Sequence, residues 1–234
     1  MATEFIFRLG NNLNFYTKKM KKIILTLALV AAAATSAMAQ FSVGAGYLNQ
    51  NVKSTYTSGS STSTSNTGAQ GFYVGADAAY NLGYGVSVVP GIYYGYLGND
   101  SASSVAGLVG AEGSTKSHYI AVPVNFKYGI GLGDLLNVFA YAGPQFELGV
   151  SSKTTYTAVV LGQSASSTVD NYSGDDSHLN RFNISLGAGI GVDVAEMVRV
   201  NFGYHYGLLN MYKGSDSNYK INNSYWSVGA AFLF

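Results

Sequence analysis

Phe182-Asn-Ile-Ser-Leu-Gly-Ala-Gly-Ile-Gly-Val-Asp-Val194 is the stretch from which the rest of the chain can be read. Its even positions, Phe182, Ile184, Leu186, Ala188, Ile190, Val192 and Val194, are all apolar, whereas Asn183, Ser185, Gly187, Gly189, Gly191 and Asp193 are small or polar. Successive side chains of a strand point to opposite faces, so a strict period of two marks a strand with one greasy and one polar wall. The pattern returns at once in Val198, Val200, Phe202, Tyr204, Tyr206 and Leu208 against Arg199, Asn201, Gly203, His205 and Gly207. It returns again at the C-terminus, where Trp226, Val228, Ala230, Phe232 and Phe234 oppose Tyr225, Ser227, Gly229, Ala231 and Leu233. No segment after Gln40 sustains a helical period.

Alternation suits a water-soluble sheet or a membrane barrel equally. Three features choose the barrel. Aromatic residues gather on the apolar face towards strand ends (Phe72, Tyr80, Tyr94, Tyr96, Tyr128, Phe182, Tyr206, Trp226), as an interfacial girdle requires. The opposite face is Gly and small polar residues, which fits a narrow lumen. Strands expected near 40–51, 70–82, 86–97, 117–130, 136–150, 179–194, 197–212 and 223–234 are joined alternately by long polar stretches and short turns. The long stretches are 52–69, 98–116, 151–178 and 213–222, with the Ser/Thr run Ser58–Asn66 expected to cap one of them. The short turns are 83–85, 131–135 and 195–196, and long outside with short inside is the pattern of a membrane barrel. The expected fold is therefore all-β, an eight-stranded antiparallel up-and-down transmembrane β-barrel. Closure leaves no strand edge in the hydrocarbon, where an unpaired backbone is costly.

Composition agrees. Charged residues make up 11% of the chain, against about 25% in soluble domains, and 29 Gly, 19 Tyr and 12 Phe accompany only 3 Pro. There is no Cys, which excludes disulfides, thiolate metal sites and a thiol nucleophile. Lys18, Lys19, Lys21 and Lys22 precede the apolar run Ile23–Ala34 and then Ala37-Met38-Ala39, the three-part plan of a cleaved secretory signal. That run is too short for a mature membrane helix, which needs about 20 residues. Residues 1–19 are expected to be an upstream extension, 20–39 a signal peptide, and 40–234 the barrel of a Gram-negative outer membrane. From Gln40 onward eight Lys and Arg face eleven Asp and Glu, a net −3, so no basic surface argues for nucleic acid.

The runs His118–Gly129, Val138–Pro144, Gly187–Val192 and Phe202–Leu208 resemble the outer-membrane protein β-barrel domain family common in Bacteroidetes. The resemblance spans essentially the whole mature chain. It implies a small barrel of the OmpA/OmpX kind, porin-like in description, and it carries no catalytic motif.

Parity places Asp77, Lys127, Glu147, Asp193, Arg199 and His205 on the inner face, with Arg181 near the outer mouth. Three acids against three permanent bases are expected to form a salt-bridged plug, because charges in a low-dielectric interior are tolerable when paired. Pairing Asp193 with Arg199 follows from a tight turn at Ala195–Met197. The alternative for the same residues is a selectivity filter or proton relay. Tyr73, Tyr93, Tyr119 and Tyr141 are also expected inside, with glycines at 187, 189, 191 and 203 making room for large neighbours. Trp226, Phe232 and Phe234 form a terminal strand of the kind read by the barrel-assembly machinery. The chain has three His, His118, His178 and His205, and none forms the His-x-Ser pair of lipid A deacylases. No residue set has metal spacing and no Gly-rich loop precedes a helix, so no cofactor is expected. The reading is a non-enzymatic, monomeric barrel for envelope integrity or surface contacts, with outer-membrane lipids around it and an extracellular ligand possible at its loops. A narrow pore and a lipid-modifying enzyme are the alternatives.

Overall fold

The computed structural model describes residues 39–105, 109–133, 135–160, 163–173, 177, 179–214 and 216–234. The expected extension, the signal peptide up to residue 38 and His178 lie outside them. The strands are β1 (Ala39–Ser58), β2 (Ser61–Gly83), β3 (Val86–Val105), β4 (Val109–Leu132), β5 (Leu136–Val160), β6 (Gln163–Asp170), β7 (Phe182–Val194), β8 (Val198–Gly207) and β9 (Tyr219–Leu233).

Eight of them close a ring in the order β1-β2-β3-β4-β5-β7-β8-β9, completed by antiparallel pairing of β9 with β1. The ninth, β6, adds to the upper half of β5 as a hairpin outside the ring. Apolar residues of even number on β7, β8 and β9 are exposed or half-buried on the outer wall, and their odd neighbours are mostly buried in the lumen. Of the expected girdle, Phe72, Tyr94, Tyr128, Phe182, Tyr206 and Trp226 are exposed there. Tyr80 departs from expectation, since its hydroxyl is buried.

Three of the long polar stretches, 52–69, 98–116 and 151–178, are corrected by the structure, because most of each is strand, whereas 213–222 turns to strand only at Tyr219. Residues 52–58 continue β1, 61–69 begin β2, and 151–160 with 163–170 form the β5–β6 hairpin. The Ser/Thr run is a turn at Gly59 (φ 59°) followed by the start of β2, not a loop cap. Thr and Val favour extended backbone, and cross-strand hydroxyls tie the ladders. Thr115 meets Thr154, Ser117 meets Ser152, Thr155 meets Thr168, and Thr157 meets Ser166, each at 2.9 Å. A bilayer needs only about 9–11 residues per strand, so the 24 residues of β4 and 25 of β5 carry their sheet well beyond the hydrocarbon. Conversely, β7 begins at Phe182 and β8 stops at Gly207, with Leu179 bridging Tyr212 between irregular segments.

Near the outer surface, His118 faces Ser151 while Tyr119 faces Gly149, so Val150 is an extra residue on β5. This β-bulge reverses parity: Glu147 and Gly149 are buried below it, Ser152 and Thr154 above it.

At the opposite end the turns are tight. Val194 accepts a backbone hydrogen bond from Met197 at 3.0 Å, across Ala195 (φ 52°) and Glu196 (φ 55°). Two consecutive left-handed residues are the mark of a type I′ hairpin turn, for which Asn-Gly is the preferred pair. The double replacement Ala195→Asn, Glu196→Gly is expected to raise stability by about 1–2 kcal/mol, the cost of left-handed backbone in residues with an ordinary Cβ. An unchanged urea midpoint would show that the turn is not strained.

Candidate lumen site

Two polar layers occupy the lumen. The lower is built by register. Asp193 of β7 stands directly opposite Arg199 of β8, and Arg199 donates Nε to Asp193 Oδ1 at 2.7 Å and Nη2 to Oδ2 at 3.3 Å. Lys127 of β4 reaches across to the same carboxylate, Nζ to Oδ2 at 2.6 Å. Arg199 Nη1 lies 3.6 Å from Oδ1 of Asp77 on β2; that oxygen also accepts Ser42 Oγ at 2.7 Å, and Oδ2 accepts the Tyr93 hydroxyl. The Phe139 ring completes the layer, with Lys127 Nζ 4.2 Å and the Arg199 guanidinium 5.1 Å from its centroid. Two acids and two bases from four strands thus neutralise one another and tie the ring across its diameter.

The upper layer differs from the expected salt-bridged plug. Glu147 is buried, and among the described residues no cation makes an ion pair with it. Its carboxylate instead accepts Gln145 Nε2 at 2.9 Å, Ser185 Oγ at 2.9 Å, Asn183 Nδ2 at 3.0 Å and the Tyr225 hydroxyl at 3.2 Å. Four neutral donors satisfy its oxygens, since a buried polar group left without a hydrogen bond is costly. Arg181 is corrected too. It is exposed, donates to the Gly149 and Val150 carbonyls of the bulge at 3.4 and 3.0 Å, and lies over the Tyr172 ring at 4.9 Å. The bulge leaves carbonyls that only a long donor at the mouth can reach, which holds Arg181 away from Glu147. Among the described residues His205 makes no ion pair. It stacks flat on Tyr225, with centroids 4.6 Å apart and planes at 9°.

The predicted glycines do make room. A Cβ at 187 would strike His205, at 189 or 203 it would strike Tyr141, and at 191 it would strike Phe139. Leu48, Leu97 and Tyr225 pack with Tyr73 and Tyr119, and all of these but Leu97 line, with Asp77, Lys127, Gln145 and Arg199, a central cavity of about 110 Å³. That volume holds a few water molecules. Sequence reasoning passed over Gln145, Asn183, Ser185, Asn223 and Tyr225. All are odd-numbered and face inward, the first three and Tyr225 bonding to Glu147 and Asn223 to Asn183, but as neutral side chains they carry no charge to mark them in the sequence. Among the described residues no three His, Cys, Asp or Glu side chains are grouped to hold a metal.

On the outer wall His118 Nδ1 lies 2.5 Å from the Tyr94 hydroxyl, and among the described residues it has no other side-chain hydrogen-bond partner. Trp226 packs on Tyr47 and Phe202 at 5.4 and 6.3 Å. Phe232 and Phe234 are exposed, and the Phe234 backbone exchanges hydrogen bonds with Phe41 at the end of the closing seam.

The profile of the outer membrane protein beta-barrel domain family matches residues 31–213. No curated protein matches the chain by sequence. Among solved structures, the chain is similar to Ail, the attachment invasion locus protein of Yersinia pestis, with 15% identity, 83% of this chain and 98% of that one covered, and a TM-score of 0.37. It is similar to Neisserial surface protein A, with 19% identity, coverage of 83% and 97%, and a TM-score of 0.40. It is also similar to the outer membrane enzyme PagL, with 13% identity, coverage of 82% and 97%, and a TM-score of 0.42.

Proposed function

We propose that this chain, which belongs to the outer membrane protein beta-barrel domain family, is a non-enzymatic integral outer-membrane barrel with a closed lumen, and that its working surface is the sheet it raises above the bilayer. The observation that carries the reading is the lower polar layer. Asp77, Lys127, Asp193 and Arg199 meet across the lumen at ion-pair distance, and charges that satisfy one another leave none free to draw a column of water or ions. An eight-stranded barrel is only wide enough for side chains to fill it. The chemistry of an acyl-transfer site requires a nucleophile and base in hydrogen-bond reach, and His118 bonds to a tyrosine instead. In this reading the barrel is a monomer surrounded by outer-membrane lipids, assembled through its terminal strand, and it serves envelope integrity or surface contacts through β3–β6.

Planar-bilayer recording of the purified barrel tests the reading. At most small, intermittent conductance is expected. A steady conductance like that of a sixteen-stranded porin would mean that the lumen is open and would put the pore reading first.

A further inference from the structure

Lys116 of β4 and Lys153 of β5 are direct cross-strand partners, and both are exposed on the outer wall. Like charges directly opposite one another in a sheet are destabilising. Nothing in the fold relieves the pair by letting the strands slip. Hydroxyl bridges fix the register on the inner face immediately to either side, Thr115 to Thr154 and Ser117 to Ser152. Among the described residues no carboxylate lies within ion-pair distance of either lysine. Asp170, the β6 partner of Lys153, makes no ion pair with it and accepts the backbone N–H of Tyr172 at Oδ1 at 2.9 Å. Asp100 is only a diagonal neighbour of Lys116, facing Ser114.

The position of the pair along the wall says what would neutralise it. The next outward pair below is His118 with Ser151. His118 packs on Tyr96 at 5.1 Å, and Tyr96 on Phe72 at 5.5 Å, so an aromatic step runs across β2, β3 and β4. Such a step marks the boundary of the hydrocarbon. Two residues of strand rise about 7 Å, which sets the two ammonium groups in the layer of lipid headgroups. Cations there are drawn to anionic headgroups.

We propose that Lys116 and Lys153 together hold the phosphate of an outer-leaflet lipid headgroup against the β4–β5 wall, with His118 and Tyr96 below supporting the sugar or glycerol stem. The test uses the full barrel in phosphatidylcholine nanodiscs doped with diphosphoryl lipid A or with the same lipid stripped of phosphate, followed by mass spectrometry of the lipid that survives detergent washing. Wild type should retain the phosphorylated lipid and shed the stripped one. K116Q/K153Q should retain roughly thirtyfold less, from about 1 kcal/mol per lysine at a membrane surface. K116R/K153R should retain it nearly as well. K53Q/K220Q removes two exposed lysines from the β1–β9 side and should behave as wild type. Should K116Q/K153Q fail to fold, K153Q alone carries the same expectation at a smaller size. Equal retention by the glutamine variant, equal retention of the stripped lipid, or full displacement by equimolar inorganic phosphate would each overturn the proposal, the last by showing a free-anion site.

Discussion

Replacing Arg199 by Leu is expected to destabilise the folded barrel by about 3–5 kcal/mol, the usual cost of removing one partner from a buried ionic group. The carboxylates of Asp193 and Asp77 would then share the one remaining base, Lys127, which reaches Asp193 but makes no ion pair with Asp77. The single tryptophan, Trp226, sits on the outer wall against Tyr47 and Phe202 and reports unfolding from lipid vesicles in urea. Adding Asp77→Asn to Arg199→Leu should recover part of the loss, because Asp77 is the carboxylate left without a base while Lys127 stays on Asp193. If Arg199→Leu alone cost less than about 1 kcal/mol, as an exposed surface pair would, the four charges would not be acting as a buried network.

Gly143→Val is expected to abolish recovery of folded barrel. A Cβ at 143 falls within contact distance of the Val124 carbonyl oxygen and 2.8 Å from the Asn125 Cα, both backbone atoms of β4. Side chains can swing aside, but here the obstacle is the neighbouring strand. β4 is held by β3 and β5 is held by β7, so in a closed ring the two strands cannot separate without breaking another seam. The penalty should lie at the upper end for overpacking, about 3 kcal/mol or more. Gly98→Ala is the control, since the nearest atoms to its Cβ would be the Tyr96 hydroxyl at 3.2 Å and ring carbons at 3.7 Å, the far end of a side chain that can move. The heat-modifiable electrophoretic shift reads both variants, and a normal folded band for Gly143→Val would mean that the ring can breathe at β4–β5.

The pattern in Phe182–Val194 was enough to orient every side chain of β7 and, with the short turn after it, to fix the Asp193–Arg199 register. A period of two and a tight turn leave no freedom there. The ring of eight was legible for the same reason. The height of the wall was not, because Ser and Thr stretches such as 151–160 look like loop by polarity alone. They become strand only when a partner strand supplies matching hydroxyls, and that pairing is a property of two segments at once. Nor was the isolation of Glu147 from Arg181 legible, because a parity argument places residues on faces but cannot see which neutral neighbours compete for a carboxylate. Gln145, Asn183, Ser185 and Tyr225 won that competition by proximity.

The extra residue at Val150 works like a frame offset in a reading frame. Below it, odd numbers on β5 spell the lumen, and above it even numbers do, so the two halves of one strand are read in different phases. The offset places Ser152 and Thr154 inside and Lys153 outside; without it Lys153 would enter the mouth of the lumen and the two hydroxyls would meet lipid headgroups. The portion above the offset can therefore diverge in sequence under its own rule, while the portion below stays bound to the ion pairs of the lumen.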